Sequence, residues 1–97
     1  MNVSFLDVAA SEFNDAVEYY ESEQKGLGLR FKTEANRAIS RVASLPTAYQ
    51  LLSERTRRCL IAKFPYGIIY QQLDNEILVV AVAHLHRQPD YWLSRKP

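Results

Sequence analysis

The residues AHLHRQPDYW follow a strongly apolar run and contain the chain's two histidines and its single tryptophan. The members with chemical or binding potential are His84, His86, Arg87, Tyr91 and Trp92. Histidine and arginine transfer protons and stabilise negative charge, whereas tyrosine and tryptophan beside arginine are typical of binding hot spots. The segment is therefore a small active site, a binding surface or the end of a strand, and the surrounding elements decide between these.

The two histidines lie two positions apart, so both would face the same side of a strand that continues through them. Two imidazoles on one face can bind a metal, but no carboxylate or cysteine lies at a suitable nearby spacing. No metal site and no cofactor is therefore predicted. A histidine such as His84, at the end of an apolar strand, more often only satisfies a hydrogen bond at the sheet edge. Catalytic and structural roles both stay open for His84 and His86.

The composition is that of one globular domain over residues 1–97, with 47% apolar and 24% charged residues. No apolar run approaches the roughly 20 residues of a membrane-spanning helix. The first residues lack the basic and apolar regions of a secretion signal. The single cysteine, Cys59, excludes an internal disulfide, and we expect it to be a small buried residue. These features predict a cytoplasmic protein with no membrane partner.

The net charge of +1 provides no overall field that would attract nucleic acid. The charges are unevenly distributed, because residues 7–23 hold six acids and no base. The second half is locally basic, with Arg55, Arg57, Arg58 and Lys63 close together.

Two amphipathic helices are predicted in the first half of the chain, because apolar residues recur there at helical spacing. The apolar face of the first consists of Ala9, Phe13, Ala16, Val17 and Tyr20. The apolar face of the second consists of Phe31, Ala35, Ala38, Ile39 and Val42. Only a few residues separate the two predicted helices, and so short a connection predicts an antiparallel helical hairpin.

The ends of these helices also have sequence signals. Asp7 is the predicted N-cap of the first helix, and Pro46 stops the second. Gly26 and Gly28 permit the positive φ of a helix exit, so the break is placed at KGLG. The face of the first helix that carries Glu12, Asp15, Glu18 and Glu21 is predicted to be solvated.

The remaining elements are predicted to be strands. Residues 3–6 read as an edge strand, PTAYQLLSE as a loop, and RRCLIAKF, IIYQQL and EILVVAVAH as three further strands. PYG is predicted to turn between the first two of these, and Asp74-Asn75 to form a tight hairpin. The prediction is an α+β fold in the order β-α-α-β-β-β. A helical hairpin packs on a mainly antiparallel four-stranded sheet, and residues 91–94 form a short C-terminal helical turn.

The stretches AVEYYESEQKGLGLRFKTEANRAI and RRCLIAKFPYGIIYQQLDNEILVVAVAHLHRQPDYW resemble the RelE/ParE superfamily of toxins from type II toxin–antitoxin systems. The resemblance runs from about residue 9 to residue 92, and the fold of that superfamily has the same element order. It implies a growth-inhibiting toxin of the plasmid-stabilisation kind, held inactive by a cognate antitoxin. Such a pair represses its own operon, so the toxin reaches operator DNA only through the antitoxin.

The superfamily has two kinds of target. RelE-like toxins cleave mRNA in the ribosome without a metal, whereas ParE-like toxins poison DNA gyrase. RNA cleavage needs a base, an acid and cations for the phosphate. By the resemblance, Arg58, His84, His86 and Arg87 are the catalytic candidates. Residues that contact the target or a partner would be Arg57, Arg58, Arg87, Tyr91 and Trp92.

Tyr91 and Trp92 have a second predicted role, as aromatics that cap the core under the C-terminus. Arg57 and Arg58 alternate along a strand, so only one of them can join a site on a given face. Their other predicted role is that of solvated edge charges that discourage aggregation.

The sequence departs from the nuclease pattern at FPYGIIY, where Gly67 or Tyr66 stands at the position of an expected arginine. Loss of such a charged hydrogen bond to phosphate costs roughly 1.5–3 kcal/mol. The ParE-like function is therefore favoured. An mRNA endonuclease is the first alternative, and a non-toxic remnant that binds antitoxin is the second. The antitoxin is expected to cover an apolar groove between the helical hairpin and the sheet edge.

Overall fold

The computed structural model describes the whole chain, Met1–Pro97, as two helices packed on one sheet. The helices are α1 (Asp7–Glu23) and α2 (Leu27–Ser44), and the strands are β1 (Asn2–Phe5), β2 (Gln50–Leu51), β3 (Thr56–Leu60), β4 (Tyr66–Leu73) and β5 (Glu76–His84). The α+β class and the element order are confirmed. The sheet has one more strand than predicted, because part of the predicted loop pairs with β3 as β2.

The sheet has the order β1-β5-β4-β3-β2, and only β1 runs parallel to its neighbour. The predicted edge strand is confirmed as β1, which pairs with the first half of β5. Asp74 and Asn75 form the hairpin between β4 and β5. β5 is buried from residue 77 to residue 83, as its apolar sequence predicts for a strand covered on both faces.

Each face of the sheet carries its own apolar cluster. On the helix face, residues of α1 and α2 pack against side chains of β3, β4 and β5. This cluster includes Phe13, Phe31, Ile68, Tyr70 and Val79. The opposite face, called the far face below, has no helix. Its cluster is smaller and consists of Ile69, Leu78, Val80, Ala81, Ala83 and Trp92. The C-terminal segment therefore covers the far face and supplies the second layer that this face needs.

The predicted apolar face of α1 is confirmed, but two of its polar assignments are wrong. Asp7 is not the N-cap, because the cap position is Leu6 and no side chain makes a capping hydrogen bond there. Leu6 continues the extended backbone of β1, so the helix begins one residue earlier than a cap at Asp7 requires. Glu12 is not solvated, since other groups surround its side chain, which is only 13% exposed.

The connection between the helices is made by Gly26 and not by Gly28. Gly26 has φ 87°, in the left-handed region that glycine adopts at little cost. Gly28 lies inside α2 and is buried. The Glu21 carboxylate of α1 accepts hydrogen bonds from the backbone N–H groups of Gly26 and Gly28, at 3.0 and 3.1 Å. It thereby satisfies donors that the start of α2 would otherwise leave free.

Replacing Gly28 with alanine is expected to destabilise the fold. A Cβ atom at this position would lie 2.6 Å from the carbonyl oxygen of Val17, so the two helices would have to move apart. We expect a loss of about 1–3 kcal/mol in the free energy of unfolding, despite the better helix propensity of alanine. Urea denaturation measures it, with Ser40→Ala on the exposed side of α2 as control. An unchanged or higher stability of Gly28→Ala would contradict the close approach.

The turn between β3 and β4 comes earlier than PYG. β3 ends at Leu60, and the turn is made around Lys63, which has φ 72°. Tyr66 and Gly67 already belong to β4, because Gly67 pairs with Leu60. Pro65 cannot donate a ladder hydrogen bond, so the chain turns before it and the strand starts after it.

Candidate functional site

The two histidines lie together at the end of β5, although the strand stops at His84. The backbone N–H of His86 donates to Nδ1 of His84 at 3.1 Å, and the two ring centroids are 5.3 Å apart. A turn and not a continuing strand therefore brings them together. Because Nδ1 of His84 accepts a hydrogen bond, a neutral His84 carries its proton on Nε2. The His84 ring also packs edge-on against Tyr66, at 5.0 Å between centroids.

The two arginines of β3 point to opposite faces, as predicted. Arg57 pairs with Tyr70 of the helix-face cluster, and its guanidinium donates to the Tyr49 carbonyl at 2.8 Å. Arg58 pairs with Ile69 of the far-face cluster, and its Nη2 donates to Gln50 at 3.0 Å. The Nε of Arg58 is buried without a hydrogen-bond partner. Only Arg58 can therefore join a site on the far face.

The position of the missing arginine is occupied by groups with other roles. A Cβ atom on Gly67 would lie 2.9 Å from both Cγ and Cδ of Arg58, so the Arg58 side chain fills the space above this glycine. The ring of Tyr66 packs against Tyr20 and Phe31, at 6.0 and 5.2 Å between centroids. Neither residue provides a cation for a phosphate.

Arg87 is held against Tyr91 just beyond the histidines. Its guanidinium carbon lies 3.8 Å from the centre of the Tyr91 ring, a cation–π distance. Its Nη1 lies 3.6 Å from Oε2 of Glu12, and 55% of the side chain is exposed. Arg87 therefore presents a fixed positive charge at the surface.

A cluster around Glu12 joins α1 to the C-terminal segment. Arg95 makes a bidentate ion pair with Glu12, at 2.8 and 3.1 Å. The Tyr91 hydroxyl donates a hydrogen bond to the same carboxylate at 2.9 Å. Burial, together with the hydrogen bond to the Glu12 carboxylate, raises the pKa of Tyr91 to about 12. The hydrogen bond to Glu12 also raises the pKa of Arg95. Sequence reasoning missed both Glu12 and Arg95, because no local pattern links residues so far apart in the chain.

Trp92 caps the core on the far face. It is 4% exposed and packs in the cluster with Ile69, Leu78 and Ala83. Hydrogen bonds of the i→i+3 type, from Leu93 to Asp90 and from Arg95 to Trp92, form the predicted C-terminal turn. Of the two roles predicted for Trp92, the structure shows the cap. A contact with a partner stays a prediction, and it requires this segment to move.

The end of the sheet forms a small hollow of about 180 Å³, whose lining includes Arg58, His84 and Arg87. His86 lies outside this lining.

Cys59 is buried as predicted, and burial raises the pKa of its thiol, which disfavours the nucleophilic thiolate. No group of three or more histidine, cysteine and acidic side chains is arranged to hold a metal ion. Neither helix has the length and hydropathy that crossing a membrane requires.

A larger groove of about 660 Å³ lies between α2 and the β3–β4 turn. We call it the α2 groove, and its lining includes Tyr20, Leu27, Leu29, Arg30, Glu34, Arg37, Lys63, Phe64 and Pro65. Its one acid is neutralised, because Arg37 and Lys63 lie 3.2 and 3.4 Å from the buried Glu34 carboxylate. The groove therefore combines an apolar floor with an excess of positive charge at its rim.

Comparison with known proteins identifies the family. A family model described as the ParE toxin of the type II toxin–antitoxin system parDE matches residues 3–89. The chain belongs to the ParE toxin family. A chain from a chromosomal ParDE toxin–antitoxin system of P. aeruginosa has a similar fold, with a TM-score of 0.62 and 14% identity. The alignment covers 89% of this chain and 97% of that one. Among curated proteins, none matches this chain significantly.

For this ParE-family chain, the structure brings some of the predicted site residues together and separates others. Arg87 and Tyr91 are in contact, and Arg58, His84 and Arg87 line one hollow. The His84 ring, however, packs on the helix face beside Tyr66, whereas Arg58 lies on the far face and Arg57 on the helix face. The resemblance seen in the sequence is confirmed at the level of the family. Roles for individual residues stay predictions.

Proposed function

We propose that this chain is the toxin of a type II toxin–antitoxin pair, that a cognate antitoxin neutralises it in the cytoplasm, and that it inhibits a macromolecular target such as DNA gyrase. The observation that carries the proposal is the match of the ParE family model to residues 3–89. The chain from the ParDE system with a similar fold supports an antitoxin partner for this chain as well.

The geometry around Arg58 favours a ParE-like target over RNA cleavage. A phosphate clamp needs free cations that converge on one point. Here Arg58 fills the space above Gly67 and is engaged by Gln50, and the His84 Nδ1 is occupied by the His86 N–H. Arg87 offers an exposed cation just beyond the end of β5, whereas the exposed Lys63 of the β3–β4 turn is paired with Glu34. A single exposed arginine beside an aromatic ring is better suited to contacting a protein than to cleaving a phosphodiester.

A supercoiling assay with purified gyrase and purified toxin tests the proposed target. We expect inhibition at micromolar toxin, and we expect the antitoxin encoded beside the toxin gene to reverse it. Unaffected supercoiling at that concentration would rule out the gyrase target. Induction of the toxin without antitoxin should arrest growth, and normal growth would point to a non-toxic remnant instead.

A ribosome-dependent mRNA endonuclease is the second candidate function. The shared hollow of Arg58, His84 and Arg87 favours it, since its lining includes an imidazole and the cations that RNA cleavage needs. Primer extension on mRNA after toxin induction decides it. New 5′ ends at ribosome-occupied codons would support the nuclease, and their absence would remove it.

The antitoxin is proposed to bind in the α2 groove. The groove runs along α2 from Leu27 to Arg37, which corresponds to about 15 Å of helix. Leu29 lines it and is 67% exposed, a large apolar surface that a partner would cover. The basic rim of Arg30, Arg37 and Lys63 complements acidic side chains. The groove therefore suits an amphipathic segment with apolar residues on one side and acids along its borders.

A further inference from the structure

The outer edge of β5 changes partners halfway along the strand. β1 pairs with β5 only as far as Phe5 and Val79, and the last ladder-like bond runs from the Leu6 N–H to the Val79 carbonyl. Beyond this point a bulge shifts the register against β4, because Ile69 pairs with Ala81 and Tyr70 with Val79. The backbone groups of β5 that follow would face outward without a strand to pair with.

Two side chains take the place of that strand. The Arg95 guanidinium donates to the Val80 carbonyl at 2.9 Å, and the Val82 N–H donates to the Glu12 carboxylate at 3.1 Å. Glu12 and Arg95 are paired with each other and are 13% and 15% exposed. Breaking a well-shielded pair of this kind leaves an uncompensated charge and two unsatisfied backbone groups.

The same carboxylate also holds the residues around it. Its Oε2 accepts the Tyr91 hydroxyl and lies near Arg87, whose guanidinium stacks on the Tyr91 ring. Glu12 thus contacts Arg87, Arg95 and the Tyr91 hydroxyl, and the buried Trp92 lies between Tyr91 and Arg95 in the sequence.

We infer that Glu12 is a positioning residue that holds the C-terminal strap (residues 91–97) on the sheet and sets the place at which Arg87 is presented. The step from Arg87 to the target rests on the proposed function. The step from Glu12 to the strap rests on the contacts alone. The two steps can therefore fail separately.

The strap step is tested by fluorescence of the full-length protein, because Trp92 is the chain's only tryptophan and lies within the strap. Glu12→Gln keeps an acceptor for the Val82 N–H and removes the charge that binds Arg95. We expect a red-shifted Trp92 emission and several-fold stronger acrylamide quenching, with the far-UV circular dichroism unchanged. Glu18→Gln, at an exposed position of the same helix, removes the same charge and should leave emission and quenching as in the wild type.

Arg95→Met serves as the second variant, because it removes the other partner and should give the same emission shift if Glu12→Gln fails to fold. Wild-type emission and quenching in the folded variants would overturn the inference.

The target step is tested in the supercoiling assay. If Glu12 acts through Arg87, Glu12→Gln should weaken inhibition, and adding it to Arg87→Ala should cause no further loss.

A further loss in that double variant would overturn the action through Arg87. A wild-type protein without any inhibition would overturn the proposed target, and the fluorescence result would still decide the role of Glu12 in the strap.

Discussion

Replacing Trp92 with alanine is expected to lower the free energy of unfolding by about 3–5 kcal/mol. Trp92 is 4% exposed, and it is the largest side chain in the cluster on the far face. That cluster has no helix above it, so nothing else can fill the space that the indole leaves. Since small domains are stable by only about 5–15 kcal/mol, such a loss is a large share of the total.

Urea denaturation followed by far-UV circular dichroism measures this effect, since the variant lacks the fluorescent residue. Leu93→Ala is the matched control, because Leu93 is the next residue of the strap and is 54% exposed. Its stability should stay within about 0.5 kcal/mol of the wild type. Equal losses in both variants would mean that the strap contributes no specific packing to the far face.

Replacing Leu29 with aspartate is expected to weaken antitoxin binding by about 30- to 700-fold, which corresponds to a hot-spot cost of about 2–4 kcal/mol. Leu29 lines the α2 groove with most of its side chain exposed, so the substitution should leave the fold intact. The new carboxylate would remove apolar contact area and would repel the acidic side chains expected of the partner. Calorimetric titration of the toxin with its antitoxin gives the dissociation constants.

Leu45→Asp provides the control for this variant. Leu45 is 62% exposed at the end of α2 and does not line the groove. Both variants add the same charge and remove the same side chain, so a difference between their affinities for the antitoxin is due to the position of the substituted residue. Equal affinities for the two variants would exclude the α2 groove as the binding surface. In cells, the Leu29→Asp toxin should arrest growth even when the antitoxin is co-expressed.

The periodic parts of the chain were predicted well because their physical cause is local. Apolar residues at helical spacing gave the buried faces of α1 and α2, and the continuous apolar run of β5 gave a strand covered on both sides. The errors concern element ends. Asp7 and the PYG turn fit general preferences, but the backbone of Leu6 and the ring of Pro65 placed those boundaries elsewhere.

The candidate site was predicted only in part. The sequence located the segment with His84, Arg87, Tyr91 and Trp92, because unusual residue types end an apolar strand there. It predicted that Glu12 is solvated, because helical periodicity shows only which face of a helix is apolar, and Glu12 lies on the polar face of α1. Glu12 is shielded by the C-terminal strap, which is distant in the chain.

By itself, therefore, the sequence determined the class of fold, the helical hairpin, the central strand and the resemblance that the ParE family match confirms. The tertiary structure alone decided that the C-terminal residues turn back over the far face and which of Arg57 and Arg58 lies on that face. It also decided that the Glu12 carboxylate and the Arg95 guanidinium take the place of a strand at the β5 edge. The reason is that periodicity arises from neighbours in the chain, whereas these contacts join groups that only the completed sheet brings together.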